Sequence, residues 1–251
     1  MAEPVTVSDK ENAKEMPTIR GEVTFDHVAF SYDETKKILK DVSFTVKPGE
    51  SVALVGPTGA GKSTIVNLIS RFYNVDSGRV LIDGQDISEV TIHSLRSQMG
   101  IMMQDSFIFS GTIGDNIRYG KLTASEDEIR KASRIVCADD FISRMPEGYD
   151  TEVRERGSML SQGQKQLISF ARTLLSDPSI LILDEATSSI DVQTEKALQT
   201  GLNAMLQGRT SFIIAHRLST IRGCDRIMYI DDGGIIETGS HEELMAKKGY
   251  Y

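Results

Sequence analysis

The sequence is short of several things, and each shortage narrows the reading. It has two cysteines in 251 residues, Cys137 and Cys224. They lie far apart and match no metal-ligand spacing, so a reduced, cytosolic setting with two structural thiols is expected. No apolar run approaches the roughly 18 residues that a bilayer crossing needs; the longest are pieces such as Ile180-Leu181-Ile182-Leu183. Residues 1–18 are polar and charged, so no secretory signal is expected. Positive charge is in the minority: the net charge is −8. That argues against general attraction to nucleic acid. No internal repeat is visible. What is present, 39% hydrophobic and 25% charged residues, describes a soluble globular chain long enough for one large α/β domain or two small ones.

The strongest local signal is Gly56-Pro57-Thr58-Gly59-Ala60-Gly61-Lys62-Ser63-Thr64, which matches the phosphate-binding pattern G-x-x-x-x-G-K-[ST]. Ser51 to Val55 before it reads as a short buried strand. Ile65, Val66, Leu68, Ile69 and Phe72 after it recur at helical spacing. Glycines at such a strand-to-helix turn let backbone N–H groups close around phosphate oxygens. The helix adds its unpaired N-terminal N–H groups and the positive end of its dipole. Lys62 is expected to reach the β- and γ-phosphates, and the Ser63 hydroxyl to ligate Mg²⁺.

Around this loop the chain reads as mixed α/β. Residues 1–18 look like a flexible leader or linker, with Pro4 and Pro17 and no apolar period. Val23, Phe25, Val28 and Phe30, then Val42, Phe44 and Val46, predict two half-buried strands of an antiparallel layer. The turn Lys47-Pro48-Gly49-Glu50 ends the second. Val80 to Ile82 with Asp83-Gly84 reads as strand and turn, and Ile101 to Met103 as a short strand. From about 105 to 176 the pattern is helical, with helices near Ile129–Val136 and Phe141–Met145 and from Ser161. The last carries Leu167, Ala171, Leu174 and Leu175 as its core stripe and stops before Asp177-Pro178. Ile180 to Leu183 and Ser211 to Ala215 read as buried parallel strands. Leu198, Leu202, Met205 and Leu206 mark a helix between them. Arg226 to Ile236 reads as a closing hairpin through Asp231-Asp232-Gly233-Gly234, and His241 to Lys247 as a last helix.

Ligands of open α/β sheets lie beyond the carboxyl ends of the strands. Three apolar strands here end in Gln104, Asp184-Glu185 and His216. Asp184 suits water-mediated Mg²⁺ binding, which leaves Glu185 as general base for an attacking water. His216 is either an ordinary histidine or a γ-phosphate contact. Tyr32 is either an ordinary aromatic at a strand end or a platform for an adenine ring. Ser161 reads as a helix N-cap; a second phosphate-binding helix terminus would make sense only in a dimer that shares its nucleotides.

Taken together, Gly56–Thr64, Gln104, Leu160-Ser161-Gln162-Gly163-Gln164, Ile180 to Glu185 and His216 resemble, in order and spacing, the nucleotide-binding domain of ABC transporters, over about residues 19–251. The resemblance implies a P-loop NTPase core with a mainly parallel sheet, an N-terminal antiparallel β subdomain and a helical insert. It implies a Mg²⁺-dependent ATPase that dimerises head-to-tail on ATP, with Tyr32 on adenine and Gln104 joining Mg²⁺ and facing a transmembrane partner. Ser161 and Gly163 would contact the γ-phosphate held by the opposite subunit, with Gln164 in the same nucleotide-binding set. Asp184 would hold Mg²⁺ through water, Glu185 would act on the attacking water, and His216 would hold the γ-phosphate. Ser188-Ser189-Ile190-Asp191 matches the loop where subunits meet. Gln162 departs from the usual glycine, a change not expected to abolish binding. Thr151 to Gly157 resembles an exporter segment that touches the membrane domain. The expectation is therefore an exporter's ATPase domain at the cytoplasmic face of a membrane, with a second nucleotide-binding domain and a transmembrane domain as partners and no nucleic acid. An importer subunit or a non-transport ABC ATPase is the alternative.

Overall fold

The computed structural model describes residues 7–33, 36–103, 106–153, 157–184 and 192–251. Gln104, Glu185 and the Ser188–Asp191 loop lie outside these, as do residues 154–156. In chain order the first elements are β1 (Val23–Ser31), β2 (Lys37–Val46), β3 (Ser51–Val55), α1 (Lys62–Ile69), β4 (Ser77–Ile82), β5 (Gln85–Asp86), α2 (Ile92–Arg96) and β6 (Met99–Met102). Next come β7 (Gly111–Thr112), α3 (Ile113–Arg118), α4 (Glu126–Ile135), α5 (Asp139–Ile142), β8 (Glu152–Val153) and α6 (Gln162–Leu175). The last are β9 (Ile180–Asp184), α7 (Val192–Leu206), β10 (Thr210–Ile214), α8 (Leu218–Arg222), β11 (Arg226–Asp231), β12 (Gly234–Gly239) and α9 (His241–Lys247). Contacts divide the chain into a first unit of residues 1–99, 179–185 and 208–251, and a second of 100–178 and 186–207.

The first unit contains the expected antiparallel layer, in the order β2-β1-β4-β5. Its alternation is imperfect because β1 slips register between Phe25 and Val28. His27 sits there at φ 51°, so a bulge rather than a strict period of two puts Val23, Phe25, Val28 and Phe30 all inside. The main sheet runs β12-β11-β3-β10-β9-β6. β3, β10 and β11 are parallel, as are β10 and β9, while β12 closes antiparallel on β11. β3 and β10 are buried at every residue, which is why they read as unbroken apolar runs rather than alternating ones. Phe44 joins the two layers: it stacks on Phe25 at 4.6 Å and meets Phe212 of β10 at 6.4 Å.

Two details fix β3 in the sheet. The Ser51 amide and hydroxyl both donate to Asp225 Oδ2, at 2.9 and 2.7 Å. Arg226 pairs with Glu50 at 2.8 Å. These polar anchors at the amino ends of β3 and β11 set the register on which their carboxyl ends depend.

At the amino end, residues 7–18 are tied to the rest of the first unit. Met16 is buried and its amide donates to Ser94 Oγ at 2.8 Å. Lys14 bridges to Val90, and Gln98 accepts from the Ile19 amide and donates to the Pro17 carbonyl. The sequence concealed this because backbone-to-side-chain bonds, not a repeated apolar face, hold the segment.

The second unit is mainly helical, but it also holds the small ladder β7–β8, pairing Gly111 with Val153 and Thr112 with Glu152. Two-residue strands leave no period to read. α6 is flanked by α3, α4 and α7. Leu167 and Ala171 are buried, with Ile168 and Phe170 beside them, while Leu174 and Leu175 are only half-buried, so its core face is displaced from the predicted stripe.

Candidate functional site

β3 delivers the chain into the glycine-rich loop, and the loop's glycines are needed for shape. Gly56 has φ 140°, Gly59 82° and Gly61 109°. A Cβ on Gly56 would stand 2.0 Å from the Ile230 carbonyl oxygen, and one on Gly61 would stand 2.8 Å from Leu39 Cδ2. The loop is thus wedged between β11 and β2. Its outer residues Pro57, Thr58 and Gly59 are exposed, as is Ser63, while Ala60, Gly61 and Thr64 are buried.

The helix that follows starts bare. Gly61 caps α1 without a side chain, and the first turn carries no acidic residue. α4 and α6, by contrast, begin with complete capping boxes at Ser125 and Ser161. The positive end of the α1 dipole and its first N–H groups are therefore presented to the loop, as anion binding requires. Lys62 lies across the loop: its ammonium donates to the Gly56 carbonyl at 2.7 Å and the Pro57 carbonyl at 2.8 Å. Burial lowers Lys62 from its ordinary value, with the charge of Asp184 working against the shift.

Register brings the other groups to the same edge. Ile214 of β10 pairs with Leu54 of β3 on one side and with Asp184 of β9 on the other. The carboxyl ends of the three strands therefore form a row, with the loop following β3, Asp184 ending β9 and His216 just beyond β10. Burial raises the Asp184 carboxyl above its ordinary value, opposed first by His216 and then by Lys62. Asp184 thus lies close enough to Lys62 and to His216, both distant in sequence, to feel the charge of each. His216 is exposed at the strand end. Ser63 and Asp184 offer only oxygen donors, the kind a hard divalent cation prefers. Among the described residues no group of three His, Cys, Asp or Glu gathers as a metal cluster.

Tyr32 lies over α1. Its hydroxyl is 3.1 Å from Thr64 Oγ1 and accepts from Asn67 Nδ2 at 3.4 Å. Its ring meets Phe30 and Tyr73 edge-on, at 4.8 and 5.0 Å, and remains 48% exposed. A half-exposed ring steadied by two aromatic neighbours keeps surface for stacking. Sequence reading missed Asn67 and Tyr73 as its supports. The i, i+3 spacing of Thr64 and Asn67 was the one available signal.

Ser161 belongs to the second unit and is an N-cap as expected. Its Oγ accepts from the Gln164 amide at 3.2 Å, and Gln164 Oε1 accepts from the Ser161 amide at 2.9 Å. Gln164 thus has a structural task in the capping box. Gly163 is buried in the first turn of α6.

Comparison with known proteins adds to this geometry. Residues 39–188 match the family described as ABC transporter. The chain is 57% identical over 245 residues to YknV of Bacillus subtilis (strain 168), described as an uncharacterized ABC transporter ATP-binding protein, covering 98% of this chain and 41% of that protein. It is 49% identical over 237 residues to the fatty acid ABC transporter ATP-binding/permease protein of Mycobacterium tuberculosis (strain CDC 1551 / Oshkosh), covering 94% of this chain and 38% of that one. A bacterial Atm1-family ABC exporter solved with ATP bound aligns with a TM-score of 0.91 at 49% identity, over 98% of this chain and 43% of its own. The chain spans about two fifths of the length of these relatives.

Proposed function

Because the chain belongs to the ABC transporter family, we propose that it is the ATP-hydrolysing part of an exporter. It works with Mg²⁺ at the cytoplasmic face of a membrane and pairs head-to-tail with a second nucleotide-binding domain. The observation that carries this reading is the row of strand ends, which sets the phosphate loop beside Asp184 and His216. Residues 19–251 act as one nucleotide-binding domain, with about 105–176 as its helical insert. Export is preferred to import because the mycobacterial relative is named as an ATP-binding/permease protein and the structural neighbour is an exporter.

In this reading the loop's N–H groups and Lys62 hold the β- and γ-phosphates, and the adenine stacks on Tyr32. His216 steadies the γ-phosphate from the β10 side. Glu185 takes a proton from water as the water oxygen bonds to the γ-phosphorus and the bond to the β,γ-bridging oxygen breaks. Ser63, Gln104 and, through water, Asp184 would hold Mg²⁺, which supplies charge neutralisation at the phosphates. Lys62 already donates to two carbonyls and has a third N–H to give. Ser161, Gly163 and Gln164 belong to the surface that would close over the partner's nucleotide, and the membrane domain would couple that closure to transport.

The test is Glu185→Gln. It should keep ATP binding, abolish phosphate release and accumulate an ATP-bound dimer visible by light scattering. Phosphate release at the wild-type rate would sink the proposed role of Glu185.

A further inference from the structure

Arg71 follows the end of α1 and has no part in the chemistry above, yet its environment is expensive to build. It is 2% exposed and has φ 51°, a backbone conformation that glycine adopts more readily at a helix end. Its guanidinium donates to the Val90 carbonyl at 2.6 Å and to the Ser8 carbonyl at 3.1 Å, and the Asp9 carboxylate stands 3.8 Å away. Its Nε has no partner among the described residues.

Arg96 completes the arrangement. Its Nε donates to the Ser70 carbonyl at 2.9 Å and its Nη2 to the Arg71 carbonyl at 2.7 Å. Its guanidinium lies over the Phe72 ring at 4.6 Å. Two arginines thus gather at the carbonyl end of α1, where the dipole favours cations. They also repel one another, and two carboxylates offset the repulsion: Asp9, and Glu89, whose charge interacts with Arg71. Glu89 is shared with Lys10. Asp9 comes from the docked amino-terminal segment, and its Oδ1 also accepts from the Ile92 amide at 2.8 Å.

The segment is not held here by tight packing. It runs beside a cavity of about 310 Å³ lined by Ser8, Lys10, Leu68, Arg71 and Asp86 among others. Arg71 joins it to the end of α1 through Ser8 and Asp9. α1 has eight residues and is about 12 Å long, so a shift at its far end is carried to the loop at its start. Positioning of reacting groups tolerates displacements well under about 1 Å.

We propose that Arg71 is a positioning residue for the nucleotide. It fixes the far end of the helix that carries the phosphate loop, and it is held for that task by Ser8 and Asp9 of the amino-terminal segment. The inference rests on the ATP-site reading above.

The test uses the whole chain with Asp9→Asn, Arg71→Lys and Arg71→Met. Thermal unfolding, affinity for a fluorescent ATP analogue, and KM and kcat for phosphate release are measured for each. Asp9→Asn should raise Kd and KM about 3- to 10-fold, roughly 0.7 to 1.4 kcal/mol, with kcat within about twofold. Arg71→Met should have the larger effect, and Arg71→Lys should recover part of it. If Kd and KM stay at wild-type values while only the unfolding temperature falls, Arg71 is a structural clamp and the inference is overturned. Should Arg71→Met fail to fold, Asp9→Asn decides alone, because Asp9 is a partly exposed surface residue. Lys62→Ala separates the two readings: if it binds the analogue as wild type does, the ATP site has been misplaced, whatever Arg71 does.

Discussion

The carbonyl of Ile230 lies against the face of Gly56 from which a side chain would start, 2.0 Å from an ideal Cβ. The contact follows from the parallel pairing of Tyr229 with Val55, which brings the end of β11 alongside the start of the phosphate loop. Gly59 is different: at φ 82° it has nothing within 4 Å of an added Cβ.

The two glycines should therefore separate fold from ligand binding. Gly56→Ala is expected to lose about 3 kcal/mol through overpacking and backbone strain, a fall of roughly 6–12 °C for a chain of this size. Gly59→Ala should cost only about 1 kcal/mol and still fold, with its effect concentrated on nucleotide affinity. Circular dichroism melts and titration with an ATP analogue measure both. Equal stability of Gly56→Ala and wild type would contradict the wedge described here.

Asp184 should be worse for the protein alone than for its complex. Burial raises its folded pKa, so the folded state holds the proton more tightly than the unfolded chain. The contribution of Asp184 to stability is then largest at acidic pH, falls as pH rises through the folded value, and stays lower at neutral pH. Asp184→Asn should accordingly melt slightly higher than wild type at pH 7, by about 1–2 °C for a partly exposed group. The difference should vanish below the ordinary carboxylate pKa. Added Mg²⁺ and ATP should stabilise wild type more than the variant. A variant that melts lower than wild type at pH 7 without ligand would reverse the sign.

Tyr32 acts through its ring in the proposed site, while its hydroxyl serves Thr64 and Asn67. Tyr32→Phe should hold ATP affinity within about threefold. Tyr32→Ala should lose about 1–3 kcal/mol of base stacking, roughly 5- to 150-fold. GTP and ATP should suffer alike, because stacking discriminates little between bases. Equal losses in the two variants would assign the effect to the hydroxyl.

Ser161 has a cap to lose whatever else it does. Ser161→Ala should cost about 1 kcal/mol, or about 2–4 °C, and Ser161→Asn should restore most of it. If the hydroxyl also meets a partner's γ-phosphate, Ser161→Asn will still fail to form the ATP-dependent dimer when introduced beside Glu185→Gln. A dimer of wild-type strength in that double variant would leave Ser161 as a cap alone.

Where the chemistry is local, it could be read from the residues. The phosphate loop is legible because one stretch of chain must supply its glycines, lysine and helix start in fixed order. Strands β3, β9 and β10 are legible because burial on both faces leaves unbroken apolar runs. The Ser161 cap is legible because capping spans four residues. The β7–β8 ladder, the bulge at His27 and the docking of residues 7–18 were not, since each depends on pairing with distant backbone and leaves no period behind.

By itself, then, the sequence determined which groups the site uses: a lysine on a glycine-rich turn, an aspartate ending one apolar strand and a histidine beyond another. Only the tertiary structure decided that they meet. Lys62 and Asp184 are 122 positions apart (184 − 62), and it is the hydrogen-bond register through Ile214 that puts them at one sheet edge. The same holds for Arg71, whose guanidinium gains its role from carbonyls at Ser8 and Val90. Side-chain types are written along the chain, but their proximity is set by long-range ladders and buried polar contacts that no local pattern encodes.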